Sequence, residues 1–262
     1  MSIDHYLTPS WPAPARVHAA TTLRSGGASS GPFSQFNLGA HVGDEESRVQ
    51  ANRRQLLEEQ KLPAEPQWLE QIHSDRVIEA QSDGLVRTAD ASFSSDSGVV
   101  CAVLTADCLP VLLCNKAGTK VAAAHGGWRG LAGGILRNTI AELDCEPQEL
   151  LVWLGPAIGP EAFETGVDVL EVFFENALSG AHTEAIAQCF RPHSEKPLHF
   201  LADIYALARA ELAELGVENI YGGEHCTFSE NERFFSYRRE KTTGRMASLI
   251  WLAGNEQISA AE

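Results

Sequence analysis

The segment 99–114 constrains this chain more than any other part of it. It is apolar almost throughout, yet too long and too broken to be one strand. Asp107 and Cys108 interrupt it, and Pro110 lacks the N–H that an interior ladder needs. It reads as two strands, 99–105 and 109–114, with an acid and a thiol at the break. A further apolar run over 120–124 ends in His125-Gly126-Gly127-Trp128-Arg129-Gly130. Apolar runs without polar alternation suit strands covered on both faces. Strand ends thus bring a thiol, an imidazole, two glycines and a guanidinium into one region.

The rest of the chain alternates short strands with helices. Strands are expected at 17–22, 77–78, 150–154 and 217–220. Helices are expected at 45–60, from Gly130 to Leu143, at 167–174 and at 201–215, the last stopping at Gly216. The segments 234–239 and 246–251 read as terminal strands around a turn, and 178–197 gives no clear pattern. This alternation implies an α/β fold, a single-domain mixed sheet with helices packed around it. An irregular arm over 1–15 precedes one domain over 16–254, and a tail follows over 255–262.

Composition narrows the partners. With 35 acids against 20 bases the net charge is -15, a surface that repels nucleic acid and anionic membranes. An anionic small molecule is still compatible where arginines cluster. The first residues lack a signal peptide's basic and apolar regions, and no run is apolar and long enough to span a bilayer. A cytoplasmic monomer is the default expectation. Six cysteines include no CxxC, so a four-cysteine zinc knuckle is not expected.

His73, in Gln71-Ile72-His73-Ser74, joins Cys108 and His125 as a candidate zinc site, three nitrogen and sulfur donors that leave a fourth position for water. The same residues admit another reading, in which Cys108 is a nucleophile and His73 or His125 its base. Asp107 either orients a ligating imidazole, holds a substrate amino or hydroxyl group, or caps a turn. Arg24, in a glycine-rich loop, and Arg129 are candidates for binding an anion such as phosphate. Arg238 joins them if the terminal strands return beside Cys108. Neither loop is GxxxxGK[ST], so a P-loop is not supported. Trp128 is a candidate for stacking on a base.

The ordered set Gln71–Ser74, Ala106-Asp107-Cys108-Leu109-Pro110-Val111, 125–130, 155–160, 235–239 and 243–247 closely resembles the YfiH-like laccase-domain family, historically labelled multicopper polyphenol oxidoreductases. The resemblance runs from about Thr21 to Trp251. It implies an α/β fold with zinc at His73, Cys108 and His125. It also implies phosphorolysis of purine nucleosides (adenosine, inosine or methylthioadenosine) with inorganic phosphate as co-substrate, and deamination of adenosine. Members are also linked to hydrolytic editing of a peptidoglycan precursor. The copper-dependent oxidase named in the old label ranks behind these, because nine histidines include no His-X-His pair. A non-catalytic zinc-stabilised domain would need a fourth protein ligand. The chain departs from the family pattern at Gly126, where alanine is usual.

Overall fold

Strands that are apolar on both faces need cover on both faces, and this chain supplies it by laying two sheets against each other between helices. The computed structural model describes residues 5–254. One sheet has the order β1 (Tyr6–Leu7), β2 (Val17–Thr22), β15 (Met246–Leu252), β7 (Val100–Thr105), antiparallel throughout. The other has the order β14 (Asn219–Gly222), β10 (Leu150–Leu154), β8 (Leu109–Asn115), β9 (Val121–Gly126), β6 (Ala91–Ser94), β4 (Val77–Glu79). It is mixed: β10 with β14 and β4 with β6 run parallel, and the remaining pairs are antiparallel. Two small sheets, β11 (Glu164–Gly166), β13 (His199–Ala202), β12 (Phe190–Pro192) and β3 (Leu69–Glu70), β5 (Arg87–Thr88), lie outside them.

The alternation of side chains along each strand assigns the layers. Cys101 and Val103 of β7, Ile250 and Leu252 of β15, Leu112 and Cys114 of β8, and Val121 and Ala123 of β9 meet between the sheets. The outer face of the first sheet, with Val100, Ala102, Leu104 and Leu249, packs on Phe36, Trp68 and Leu56 of α1 (Glu46–Glu59). The outer face of the second, with Leu109, Val111, Leu113 and Val152, packs on α2 (Trp128–Gly133), α3 (Ile135–Leu143), α4 (Val167–Glu175), α5 (Gly180–Gln188) and α6 (Ile204–Glu214). This is the expected α/β mixed-sheet fold with helices around the sheets. The two strands read from 99–114 fall in different sheets, so 106–108 carries the chain from one sheet to the other.

Several local expectations are corrected. Pro110 does not break its strand. It lies past Val111–Leu154, the last position where β8 pairs with β10, and its carbonyl accepts the Gly155 N–H at 2.9 Å. The helix expected from Gly130 to Leu143 is two helices, because Gly134 turns left-handed (φ 94°) between α2 and α3, a conformation open to glycine. The helix expected over 201–215 starts later: Leu201 and Ala202 belong to β13, and the Asp203 carboxylate accepts the N–H groups of Tyr205 and Ala206 to cap α6. The segment 234–239 is no strand. Phe234 and Phe235 are buried beside Leu23, Ala106 and Met246, and Ser236 then caps the single turn α7 (Tyr237–Glu240). The arm is not wholly irregular, since Tyr6–Leu7 pairs with β2. Residues 1–4 of the arm and the tail expected over 255–262 lie outside the described residues. Among the described residues, no helix is long and apolar enough to cross a membrane.

Candidate active site

The switch between sheets places the thiol. Asp107 adopts φ 87°, a left-handed conformation that costs a non-glycine residue roughly 1–3 kcal/mol. It is held there from both sides: its Oδ1 accepts the Thr227 hydroxyl at 2.7 Å and its Oδ2 accepts the Arg238 N–H at 2.6 Å. Cys108 follows directly, at the head of β8. His125 lies near the end of β9, in register with Pro110. His73 comes from the loop between β3 and β4, also left-handed at φ 61°. One donor atom from each of the three residues lies within 4.8 Å of the others, with Cys108 Sγ 3.8 Å from His73 Nε2. The two imidazoles meet edge to face at 4.8 Å.

The residue that organises the site is Asp90, which no sequence motif marks. Its side chain is fully buried. Its Oδ1 meets His125 Nδ1 at 2.8 Å and accepts the His73 N–H at 2.9 Å. Its Oδ2 accepts the Ile72 N–H at 3.2 Å and the Ser74 N–H and hydroxyl, both at 2.7 Å. One carboxylate thus fixes the His125 ring and the strained loop that carries His73. Asp107, expected as a possible partner of an imidazole, instead pins its own turn and α7. The available signal was an acid set between Ala89 and Ala91 at the start of a buried strand, since an acid there needs several partners. Gln71 completes the frame. Its side-chain amide pairs with both backbone groups of Leu104, at 2.7 and 2.8 Å, and ties the loop to β7.

The donors are electrostatically coupled. Burial pushes the Cys108 thiol up, but the His125 and His73 imidazoles outweigh it, so the thiol is acidified. Burial opposes protonation of His125, but the Cys108 sulfur and then Asp90 outweigh it and raise its pKa. A thiolate and two imidazoles are a donor set for a borderline-soft cation. The geometry fits such an ion: the 3.8 Å sulfur–nitrogen separation is near the ~3.6 Å edge of a tetrahedral zinc site. Space is kept at the donors by Gly127, where a Cβ would stand 2.7 Å from His73 Cδ2 and 3.4 Å from both Cys108 Sγ and His125 Cε1. Gly126 is also closely packed, since an alanine Cβ would lie 2.9 Å from the Leu109 carbonyl. Among the described residues, no fourth histidine, cysteine or acid joins the cluster.

Two cavities meet at Cys108. The larger, about 390 Å³, holds the three donors with His41, Gln71, Tyr237 and Arg245 in its walls. The smaller, about 170 Å³, is walled by Trp128, Ile158, Phe163 and Ile204, with Asp107 and Arg238. Ala106, Cys108 and Tyr237 line both. Arg238 is therefore brought to the site, by α7 rather than by a strand. Arg129 lines neither cavity; it is exposed and lies over the Trp128 ring at 4.2 Å. Arg24 is in a separate depression with Gln35 and Asn231, paired to Glu240 at 3.1 Å. Arg245, directly before β15, is the arginine that shares the larger cavity with the three donors.

The chain is similar to known proteins over nearly its whole length. The model of the family described as multi-copper polyphenol oxidoreductase laccase matches residues 18–253. A Pseudomonas aeruginosa protein named purine nucleoside phosphorylase is 53% identical over 250 residues, covering 95% of this chain and 99% of that protein. The Escherichia coli K12 protein named purine nucleoside phosphorylase YfiH is 51% identical over 247 residues, with 94% and 98% coverage. Among solved structures, a Neisseria meningitidis protein superposes with a TM-score of 0.89 at 50% identity, over 96% of this chain and all of that one (100%). YlmD from Geobacillus stearothermophilus superposes with 0.87 at 29% identity, over 97% and 98%.

Proposed function

We propose a function from one premise: the chain belongs to the multi-copper polyphenol oxidoreductase laccase family, the YfiH group of proteins. It is an enzyme of the purine nucleoside phosphorylase kind, as its relatives at 46–53% identity are named. We read it as zinc-dependent, cleaving adenosine, inosine or methylthioadenosine with inorganic phosphate. The observation that carries this reading is the three-donor cluster in a 390 Å³ cavity shared with an arginine, next to a cavity walled by flat and aliphatic side chains. A cleft with few convergent polar groups suits a small molecule, and the guanidinium suits its phosphate.

His73, Cys108 and His125 would hold the zinc, with Asp90 orienting His125. A zinc ion there would supply Lewis acidity toward a substrate oxygen or a water molecule. In this reading Cys108 is a ligand rather than a nucleophile, since its sulfur converges with both imidazoles instead of standing alone before one base. Asp107 acts by holding the turn. The open side of the donor set also supports adenosine deamination as a second activity.

The test is product identification by mass-resolved chromatography. Metal-quantified protein is incubated with adenosine, with and without phosphate, beside Cys108→Ala. Phosphate-dependent adenine and ribose 1-phosphate are expected, with inosine as the mark of deamination, and Cys108→Ala should lose metal and turnover together. Neither product from a metal-filled protein would overturn the reading and move the assignment to hydrolytic precursor editing. Cys108→Ala that kept its metal but lost turnover would instead make Cys108 the nucleophile.

A further inference from the structure

We infer that the substrates are divided between the adjoining cavities: phosphate lies in the metal cavity against Arg245, and the purine lies beyond Cys108 and Tyr237, among Trp128, Ile158, Phe163 and Ile204. This rests on the phosphorolysis reading and assigns its orientation.

The charges favour this order. No aspartate or glutamate lines the metal cavity, whereas Asp107 lines the smaller one. Among the described residues Arg245 has no carboxylate at ion-pair distance. Its Nη1 donates to the carbonyls of Thr243 and Gly244, at 2.9 and 3.1 Å, and its guanidinium carbon lies 5.9 Å from the Tyr237 ring centroid, while Nε and Nη2 have no acceptor among the described residues. Of the other arginines nearby, two are paired, and Arg238, which like Arg245 has no carboxylate partner among the described residues, shares its cavity with Asp107. Arg24 and Arg239 both pair with Glu240. Arg238 gives Nη1 to the carbonyls of Glu164 and Ala162 and lies 5.8 Å from the Phe163 ring centroid, forming wall for a flat ligand.

Arg245 is also seated in advance. Its N–H donates to Asn37 Oδ1 at 2.9 Å, and the same oxygen accepts the Gly39 N–H at 2.9 Å. Gly39 comes so close that a Cβ there would stand 2.8 Å from Arg245 Cγ. Asn37 is itself fixed by buried Asn52, whose Nδ2 donates to the Asn37 carbonyl at 2.8 Å. A guanidinium held this way loses little freedom on binding an anion. Asn37 and Gly39 are positioning residues.

The reaction requires the same geometry. A phosphate oxygen forms a bond to ribose C1′ as the bond from C1′ to the purine nitrogen breaks, and the pair of electrons leaves with the base. The proton of hydrogen phosphate ends on the purine, so the step balances without another reactant. Nucleophile and leaving group lie on opposite sides of C1′. Two cavities on either side of a shared wall place them so, with ribose at Cys108 and Tyr237. In this pose the purine C6 is away from the metal, so deamination needs a reversed pose.

The experiment measures KM for phosphate and for adenosine separately, on metal-quantified wild type, Arg245→Gln, Arg245→Lys, Gly39→Ala and Trp128→Leu. Arg245→Gln should raise the phosphate KM about 10-fold or more and leave the adenosine KM within about twofold, with partial rescue in Arg245→Lys. Trp128→Leu should do the reverse. Gly39→Ala, which displaces the Arg245 stem, should follow Arg245→Gln to a smaller extent. In parallel, inorganic phosphate is titrated against each protein and its 31P line width recorded; wild type and Trp128→Leu should broaden it and Arg245→Gln should not. An unchanged phosphate KM in Arg245→Gln and Gly39→Ala, or an exchange of the two patterns, overturns the inference while phosphorolysis stands. If wild type releases no ribose 1-phosphate, phosphorolysis falls, and the line widths alone decide the Arg245 site; no broadening by wild type overturns that too.

Discussion

Asp90→Asn tests whether one buried carboxylate sets up the metal site. The amide must choose between two poor orientations. With its NH2 group toward His125, it forces Nδ1 to accept, so the ring proton moves to Nε2, the nitrogen needed for the metal. With NH2 turned the other way, it faces the N–H groups of Ile72 and Ser74 and leaves them unpaired. Each unsatisfied buried donor costs roughly 1–3 kcal/mol. The first orientation loses one backbone acceptor, for His73, and the second loses two. We therefore expect destabilisation of about 2–4 kcal/mol and a fall in zinc affinity of roughly 10–100-fold.

Metal-free protein would be unfolded in urea at pH 7, and zinc affinity measured by competition with a chromophoric chelator. Asp90→Ala should be the less stable variant, because no acceptor remains for any of the three backbone donors. Asp90→Asn binding zinc with wild-type affinity would refute the argument, because the wrong tautomer could not then be imposed. Wild-type stability would show that the loop bearing His73 is held by other contacts.

Two further outcomes follow from single positions. Gly127→Ala keeps an allowed backbone (φ -62°, ψ 150°), so its effect comes from the methyl that meets His73 Cδ2 at 2.7 Å; metal per chain after dialysis should fall about 10-fold, and full metal content would count against the Gly127 cradle. Glu211 is buried in α6, and burial raises its pKa from 4.5 to about 7 despite Arg137. Unfolding frees it to ionise from pH 4.5, so wild-type stability should decline between pH 4.5 and about 7 and then level off. Glu211→Gln should gain up to about 3 kcal/mol over wild type at pH 8 relative to pH 4, read from urea midpoints; an equal difference at both pH values would remove Glu211 as the cause.

What could be read in advance follows from where each signal resides. Unbroken apolar runs such as 109–114 announce strands buried on both faces, and the three candidate metal donors stand at their ends or in a recognisable motif. Helix breaks depend on single dihedrals, and Gly134 gives no sign of its left-handed turn within an otherwise helical pattern. Asp90 was missed because its five hydrogen bonds come from 72–74 and His125, distant in sequence. Arg245 is hidden for a similar reason, its seat being built by Asn37 and Gly39. Arg24 and Arg129 stood out in sequence as anion binders, and only the fold shows one paired to Glu240 and the other lying over an indole.

The family's oxidase description and its relatives' phosphorylase names make different demands on histidine. A multicopper oxidase needs many imidazoles gathered at several metal centres. Here five other described histidines are engaged away from the cluster: His18 stacks on Trp251 at 5.5 Å, His182 accepts the Leu178 N–H at 3.2 Å, His193 accepts the Glu195 N–H at 3.1 Å, and His199 and His225 pair with Glu164 and Glu230. His41 alone shares the cavity with His73 and His125, and burial lowers its pKa, with Arg245 and Arg53 adding to the effect. Copper could compete for the single nitrogen–sulfur cluster on affinity alone. Among the described residues there is only one such three-donor group to occupy. Electron transfer between copper centres therefore lacks its second station. Displacement at one sugar carbon, as proposed above, needs no second metal centre, only a nucleophile and a leaving group, for which the two cavities that share Ala106, Cys108 and Tyr237 offer separate places.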